Sequence, residues 1–249
     1  MRRKEIRACS DMANSYFQFK QFRIEQDRCA MKMGTDAVLL GALAHLDKTK
    51  MILDIGTGTG VIALMLAQRF PEARVHGVEI EAQAFVQATQ NFRDSPWRDR
   101  LEIDHAAFQD YALTRDRKYD LIVSNPPFFS GQLKSPDTQK SWARHDDQLS
   151  QKDLLLGVDQ LLTEEGLFWL ILPVREMRLF KTLAKQSGFV LQQEYLIRDR
   201  AGVDPRRQIC SFGKGNRCPK PSGEIILKEA SGGFHIDYRN LLKDFLLDF

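Results

Sequence analysis

The chain has few cysteines, no long apolar run and almost no net charge. Its four cysteines, Cys9, Cys29, Cys210 and Cys218, form no C-x-x-C pair and lie beside no His at metal-ligand spacing. A disulfide framework does not suit 249 residues, so reduced thiols and no metal are expected. No stretch approaches the ~18 apolar residues of a membrane span. The basic start, Met1-Arg2-Arg3-Lys4-Glu5, is not followed by an apolar segment of signal length. A cytoplasmic protein without a membrane partner is the expectation, and nothing points to an obligate protein partner. No internal repeat or low-complexity tract is visible.

The net charge of +3 is unevenly spread. Residues 1–50 carry a net +4 and residues 51–130 a net −3. Between Tyr195 and Lys220 seven basic residues face only Asp199 and Asp204. Basic flanks around an acidic centre suit either a solvated surface or a polyanionic partner.

Forty-three per cent of the residues are hydrophobic, enough for a sizeable core. From Met51 strand-like and helix-like segments alternate, the pattern of a parallel sheet. Strands are predicted at Met51–Asp54, Arg74–Ile80, Leu101–Ala107, Tyr119–Ser124 and Leu167–Leu172, the last entered by a turn at Gly166. Helices are predicted at Val61–Phe70, Glu81–Phe92, Gln151–Leu162 and Val174–Gln186. Two further strands, Phe189–Arg198 and Arg207–Phe212, are joined by the turn Asp199–Arg206 and suit an antiparallel edge. Before the alternation, Phe17, Phe19, Phe22 and Ile24 alternate as in strands, and a helix follows from Thr35 to about His45. Residues 130–150 show no periodicity, as in a functional loop or a disordered segment.

Two motifs carry chemistry. The first is Asp54-Ile55-Gly56-Thr57-Gly58-Thr59-Gly60, between a strand and a helix. Glycines there let backbone approach a ligand closely, and the helix start offers unpaired N–H donors. The glycines follow G-x-G-x-G; Val61 stands where the dinucleotide fingerprint has its third glycine. Asp54 would oppose a pyrophosphate but suits a ligand bearing an ammonium group, such as S-adenosylmethionine (SAM). Glu79 ends the next strand, 23 residues after Gly56, where a carboxylate can accept both ribose hydroxyls.

The second motif is Asn125-Pro126-Pro127-Phe128, after the Tyr119–Ser124 strand. An amide or aromatic amine nitrogen is a poor nucleophile because its lone pair is delocalised. Two acceptors on its N–H protons, the Asn125 side-chain oxygen and the Pro126 carbonyl, can draw that lone pair out of plane. The prolines restrict the turn and preorganise both acceptors. Phe128 can stack on a planar base. No general base is required, since the amine sheds its proton after transfer. The pair of motifs points to methyl transfer onto a planar nitrogen.

With these residues in hand, the chain resembles class I SAM-dependent methyltransferases. Within them it is similar to the bacterial tRNA1(Val) (adenine-37-N6)-methyltransferase family. The resemblance covers residues 1–249 and rests on Phe22-Arg23-Ile24, Met31 through Gly41, Asp54 to Gly60, Asn125 to Phe129 and Ala143-Arg144-His145. It implies a Rossmann-like α/β fold with a seven-stranded mixed sheet of order 3-2-1-4-5-7-6 and helices on both faces. It implies one domain over 1–249, with 1–48 as an extension over the active site. SAM contacts would come from Asp54, Gly56, Gly58, Gly60, Glu79, Ile80, Phe108 and Asn125. Lys32, Gly34 and Thr35 would lie over the cofactor or the catalytic mouth, and Asn125, Pro126, Pro127 and Phe128 would hold the adenine. Arg23, Arg144, Arg198, Arg206 and Arg207 would contact tRNA phosphates.

One position departs from the pattern. Related enzymes place an Asp after the third strand, facing the SAM adenine amine, and Ala107 stands there. Asp110 or backbone groups around Phe108 would have to replace it. Two other targets of similar Asn-Pro-Pro turns stay open: a glutamine side-chain amide in protein and guanine N2 in ribosomal RNA. A tRNA-binding chaperone is the non-enzymatic alternative, although a pure binder need keep neither the glycine turn nor Asn125.

Overall fold

The computed structural model describes residues 15–29, 32–127, 149–215, 221–247 and 249. Two short strands, β1 (Tyr16–Gln18) and β2 (Arg23–Glu25), form a separate antiparallel hairpin. Helix α1 (Thr35–Leu43) follows, as its apolar composition led one to expect.

The alternation from Met51 onward builds β3 (Met51–Ile55), α2 (Val61–Arg69), β4 (Arg74–Glu79), α3 (Ala82–Asp94), β5 (Leu101–His105), α4 (Phe108–Thr114) and β6 (Tyr119–Ser124). Helix α5 (Gln151–Leu161), β7 (Leu162–Pro173), α6 (Val174–Gln186), β8 (Val190–Arg200), β9 (Arg207–Gly213), β10 (Gly223–Lys228) and α7 (Ile236–Leu242) complete the chain. The main sheet runs β10-β8-β9-β7-β6-β3-β4-β5. Seven of its strands stand in the order the resemblance implied, and β10 adds an eighth, parallel to β8. Neither β10 nor α7 announced itself in the sequence.

The Gly166 turn is a correction. Strand β7 runs unbroken through Gly166 directly from α5. Its register against β6 shifts between the Tyr119–Leu162 and Leu121–Leu167 pairs. The glycine therefore lies in an irregularity of the ladder, where extra residues bulge out, and the sequence read that bulge as a turn.

The sheet separates two apolar layers. One contains Ile52, Leu64, Met65, Val123, Trp169 and Ile209 with α1 and α2. The other contains Leu53, Phe108, Ile122, Leu155, Phe168 and Phe180 with α4, α5 and α6. The central strands are buried on both faces, which is why they read as continuous apolar runs. Phe19 stacks on Phe22 with ring centroids 4.3 Å apart, and Phe22 meets Trp97 edge-on, which seats the N-terminal hairpin. Among the described residues no helix is long and apolar enough to cross a membrane.

Candidate active site

The five parallel strands β3, β4, β5, β6 and β7 end at the same edge of the sheet, and the conspicuous residues gather there. Open α/β sheets bind ligands outside these carboxyl ends. The glycine turn leaves β3 and is fastened to the end of β4. The Gly56 and Thr57 amides both donate to the Val78 carbonyl, at 2.9 and 3.2 Å. Gly56, Gly58 and Gly60 all take left-handed backbone, with φ of 71, 57 and 85°. A Cβ on Gly60 would lie 2.7 Å from the Phe92 ring, so this glycine serves packing. A Cβ on Gly56 or Gly58 would meet nothing within 4 Å, so these two border open space. The spacing that looked uniform in sequence thus divides into one packing glycine and two that line a cradle.

Asp54 sits at the floor of this cradle, fully buried in β3. Neither carboxylate oxygen has a well-formed hydrogen bond among the described residues; the Ala63 backbone N–H reaches the carboxylate only weakly. Burial pushes its carboxyl up to about 7; the Glu79 charge adds to this, and the Ala63 backbone N–H works against it. A buried carboxylate without a partner is costly unless a ligand supplies one.

Glu79 is held differently. One oxygen accepts from the Gly58 amide at 2.7 Å and the other from the Glu81 amide at 2.8 Å. Each oxygen can accept a further hydrogen bond. The carboxylate is therefore aimed at the cradle by the very turn it serves. Ile80 follows it, exposed. Glu81 is the N-cap of α3, accepting from the Gln83 and Ala84 amides.

Asn125 leaves β6 beside this turn. Ile55 and Ser124 are paired across β3 and β6, so Gly56 and Asn125 depart from adjacent strands at the same level. The Ser124 hydroxyl donates to the Ile55 carbonyl at 3.0 Å and fastens the two ends together. Asn125 and Pro126 are half-buried and Pro127 is exposed. Phe128 and Phe129 lie outside the described residues, as do Trp142, Arg144 and His145.

Other expected residues fall in varied places. Gly34 is the N-cap of α1 and Thr35 its first residue; both are exposed, as is Lys32. The Phe108 side chain is buried in the core against Gly157, so only its backbone can face a ligand. Ala107 is the N-cap of α4 and offers no side-chain cap. Asp110 lies within the first turn of α4 and is exposed.

The arginines are largely engaged within the protein. Arg207 pairs with Asp36 at 2.7 Å and ties the start of β9 to α1. Arg198 pairs with Glu224 at 2.9 Å and donates to the Val203 carbonyl, which locks the β8–β9 turn. Arg23 pairs with Glu25 and covers the Tyr16 ring at 3.6 Å. Arg206 is exposed, at the same edge of the sheet as Asn125. A groove of about 860 Å³ lies elsewhere, along β5, lined by His76, Glu102, Asp104, Arg115 and Arg117. These five side chains pair with one another, and none of the cradle residues line the groove. Among the described residues no cluster of His, Cys, Asp or Glu is arranged to hold a metal.

Comparison with known proteins places this geometry in a family. The model of the methyltransferase small domain matches residues 31–186. A tRNA1(Val) (adenine(37)-N6)-methyltransferase of Bacteroides fragilis is 45% identical over 238 residues, 95% of this chain and 99% of the relative. Its counterpart in Pedobacter heparinus is 43% identical over 94% of this chain and 98% of the relative. The chain belongs to the tRNA1(Val) (adenine(37)-N6)-methyltransferase family. A solved structure described as a predicted O-methyltransferase from Agrobacterium tumefaciens superposes with a TM-score of 0.66 at 19% identity, over 84% of this chain and 96% of that one. At that identity the likeness speaks for the fold alone.

Members of this family use SAM as methyl donor. The cradle fits it on two counts. Asp54 lacks a partner that the SAM ammonium can provide, and the two open glycines leave room for a bound ligand.

Proposed function

We propose that this protein transfers a methyl group from SAM to the exocyclic N6 of adenosine 37 in the anticodon loop of valine tRNA. The observation that carries the reading is the Ser124–Ile55 fastening, which sets Asn125 beside the Asp54–Gly60 turn. When bound, SAM supplies an electrophilic methyl group on its sulfonium. The chain's own residues do the rest. Asp54 and Glu79 meet the ammonium and the ribose, Gly56 and Gly58 admit the ligand, and Ile80 covers one face of its adenine. The amides at the start of α4, around Phe108, take over the adenine contact that Ala107 cannot make. Asn125 and the Pro126 carbonyl accept from the two N6 protons and turn the lone pair toward the methyl. Phe128 stacks on the target base, and Lys32, Gly34 and Thr35 stand at the mouth. The chain acts as one domain, with residues 1–48 as an extension over the site, in the cytoplasm where its tRNA resides.

The target base must leave its stack to reach the donor, and an anticodon loop lowers that cost because it is already unpaired. Arg206, with Arg144, supplies phosphate contacts. Arg198 and Arg207 shape the β8–β9 turn that presents Arg206, since their own charges are paired.

The reading is tested with labelled SAM and bulk tRNA from a strain lacking the protein. Label should appear in N6-methyladenosine. Label in N2-methylguanosine, or in protein glutamine when extract is supplied, would replace the proposed target. A second expectation concerns Arg206→Glu: the KM for tRNA should rise and the slope of log KM against log salt should fall by about one. An unchanged slope would make Arg206 a solvated surface residue.

A further inference from the structure

Helix α3 carries two buried amide side chains that the chemistry above does not use. Gln87 and Asn91 are four residues apart, so they share one face of the helix, and each is only 2% exposed. Asn91 makes three hydrogen bonds. Its oxygen accepts from the Glu25 amide at 2.9 Å, and its nitrogen donates to the Glu25 carbonyl at 2.9 Å. The same nitrogen donates to the Thr59 carbonyl at 2.8 Å. One side chain thereby completes a strand-like pairing with β2 and grips the glycine turn. One helical turn earlier, the Gln87 oxygen accepts from the Arg28 amide at 3.0 Å.

Gln26, itself buried, accepts from the Met33 amide at 3.1 Å and closes the path from β2 toward α1. Cys29 is half-buried, within electrostatic reach of Glu79 at the end of β4 and of Glu81, the N-cap of α3. Burial, with the Glu79 and Glu81 charges added, pushes its thiol up to about 11. At the far end, the Asp36–Arg207 pair fixes the start of α1.

We propose that Gln87 and Asn91 are positioning residues that hold the chain segment at residues 25–29 against the ribose side of the cofactor cradle. They touch neither the donor nor the target base. They act through the backbone at Glu25, Arg28 and Thr59, so their effect falls on cofactor binding and not on the transfer step. This rests on the cofactor placement given above, with Glu79 at the ribose.

The test compares wild type with Gln87→Met, which keeps the volume and loses the acceptor, and with Gln90→Met, the same change on the exposed side of α3. Calorimetric titration should show the SAM Kd of Gln87→Met raised about five-fold, the worth of one hydrogen bond. The KM for SAM should rise alike while kcat stays, the signature of lost uniform binding. Gln90→Met should match wild type. A folded Gln87→Met protein with wild-type SAM affinity overturns the proposal. Amide exchange on the wild-type protein provides a reading that needs no variant: SAM should deepen protection at residues 26–29, and unchanged protection also overturns it. The two levels of the reading separate through Asp54→Asn. If that change weakens SAM binding while Gln87→Met does not, only the role of Gln87 and Asn91 fails. If neither does, the cofactor placement itself is wrong.

Discussion

Asn125→Ala should lower kcat by about 100-fold or more, the usual cost of removing one preorganised acceptor or donor at a reacting centre. The SAM Kd should stay within about two-fold of wild type, because in the proposed arrangement Asp54, Glu79 and the glycine turn hold the donor. The asymmetry follows from geometry. Asn125 emerges from β6 one residue past Ser124, whose hydroxyl is fastened to the end of β3. Removing the amide leaves the turn in place, since Pro126 and Pro127 restrict the backbone independently of that side chain. What is lost is one of two acceptors on the target amine. The lone pair then stays delocalised and the nitrogen remains a poor nucleophile. Single-turnover methyl transfer together with SAM calorimetry measures both quantities. Turnover equal to wild type would remove Asn125 from the chemistry, and loss of SAM binding would make its role structural.

Asp54→Asn should move stability and cofactor affinity in opposite directions. The Asp54 carboxyl titrates at about 7 in the folded protein against 3.8 ordinarily. A folded pKa above the unfolded one means that the native state holds the proton more tightly. Stability therefore falls as pH rises from about 4, and the loss is complete above about pH 7. A difference of about three pKa units corresponds to a penalty on the order of 4 kcal/mol at alkaline pH. Asn carries no charge and escapes it, but still buries a polar amide, so the net gain is about 1–3 kcal/mol. Denaturant unfolding of the ligand-free proteins should show the variant increasingly more stable than wild type as pH rises through this window. A constant difference would mean that Asp54 does not titrate there.

The same proton links to binding. An ammonium group beside Asp54 favours the carboxylate, so SAM binding below pH 7 releases a proton. Wild-type affinity should rise with pH up to about 7 and then level. Asp54→Asn should bind SAM at least about ten-fold more weakly and without that slope. The site thus tolerates a destabilised buried charge until the ligand arrives, a trade common at binding sites.

Much of this was legible from local pattern. The βαβ alternation, the glycine turn and the Asn-Pro-Pro segment each sit within a few consecutive residues, where backbone preference and side-chain chemistry act directly. The Gly166 strand was misread because a bulge and a turn share the same glycine-and-charge signature. Helix α4 escaped notice at seven residues, too short for a periodic pattern. Strand β10 escaped because it gains its ladder only from β8, a partner remote in sequence. The ion pairs of Arg198 and Arg207 were not legible because Glu224 and Asp36 are distant in the chain; Asp36 is separated from Arg207 by 171 positions.

The sequence by itself determined the fold class and the methyl-transfer chemistry, because those depend on residue type at short spacing. Only the tertiary structure decided which charges pair within the fold. It alone divided the three glycines into packing and cradle, left Asp54 without a partner, and brought Gln87 and Asn91 against the N-terminal segment. Those outcomes depend on long-range contact and burial: whether a polar group is satisfied is settled by what the folded chain places next to it.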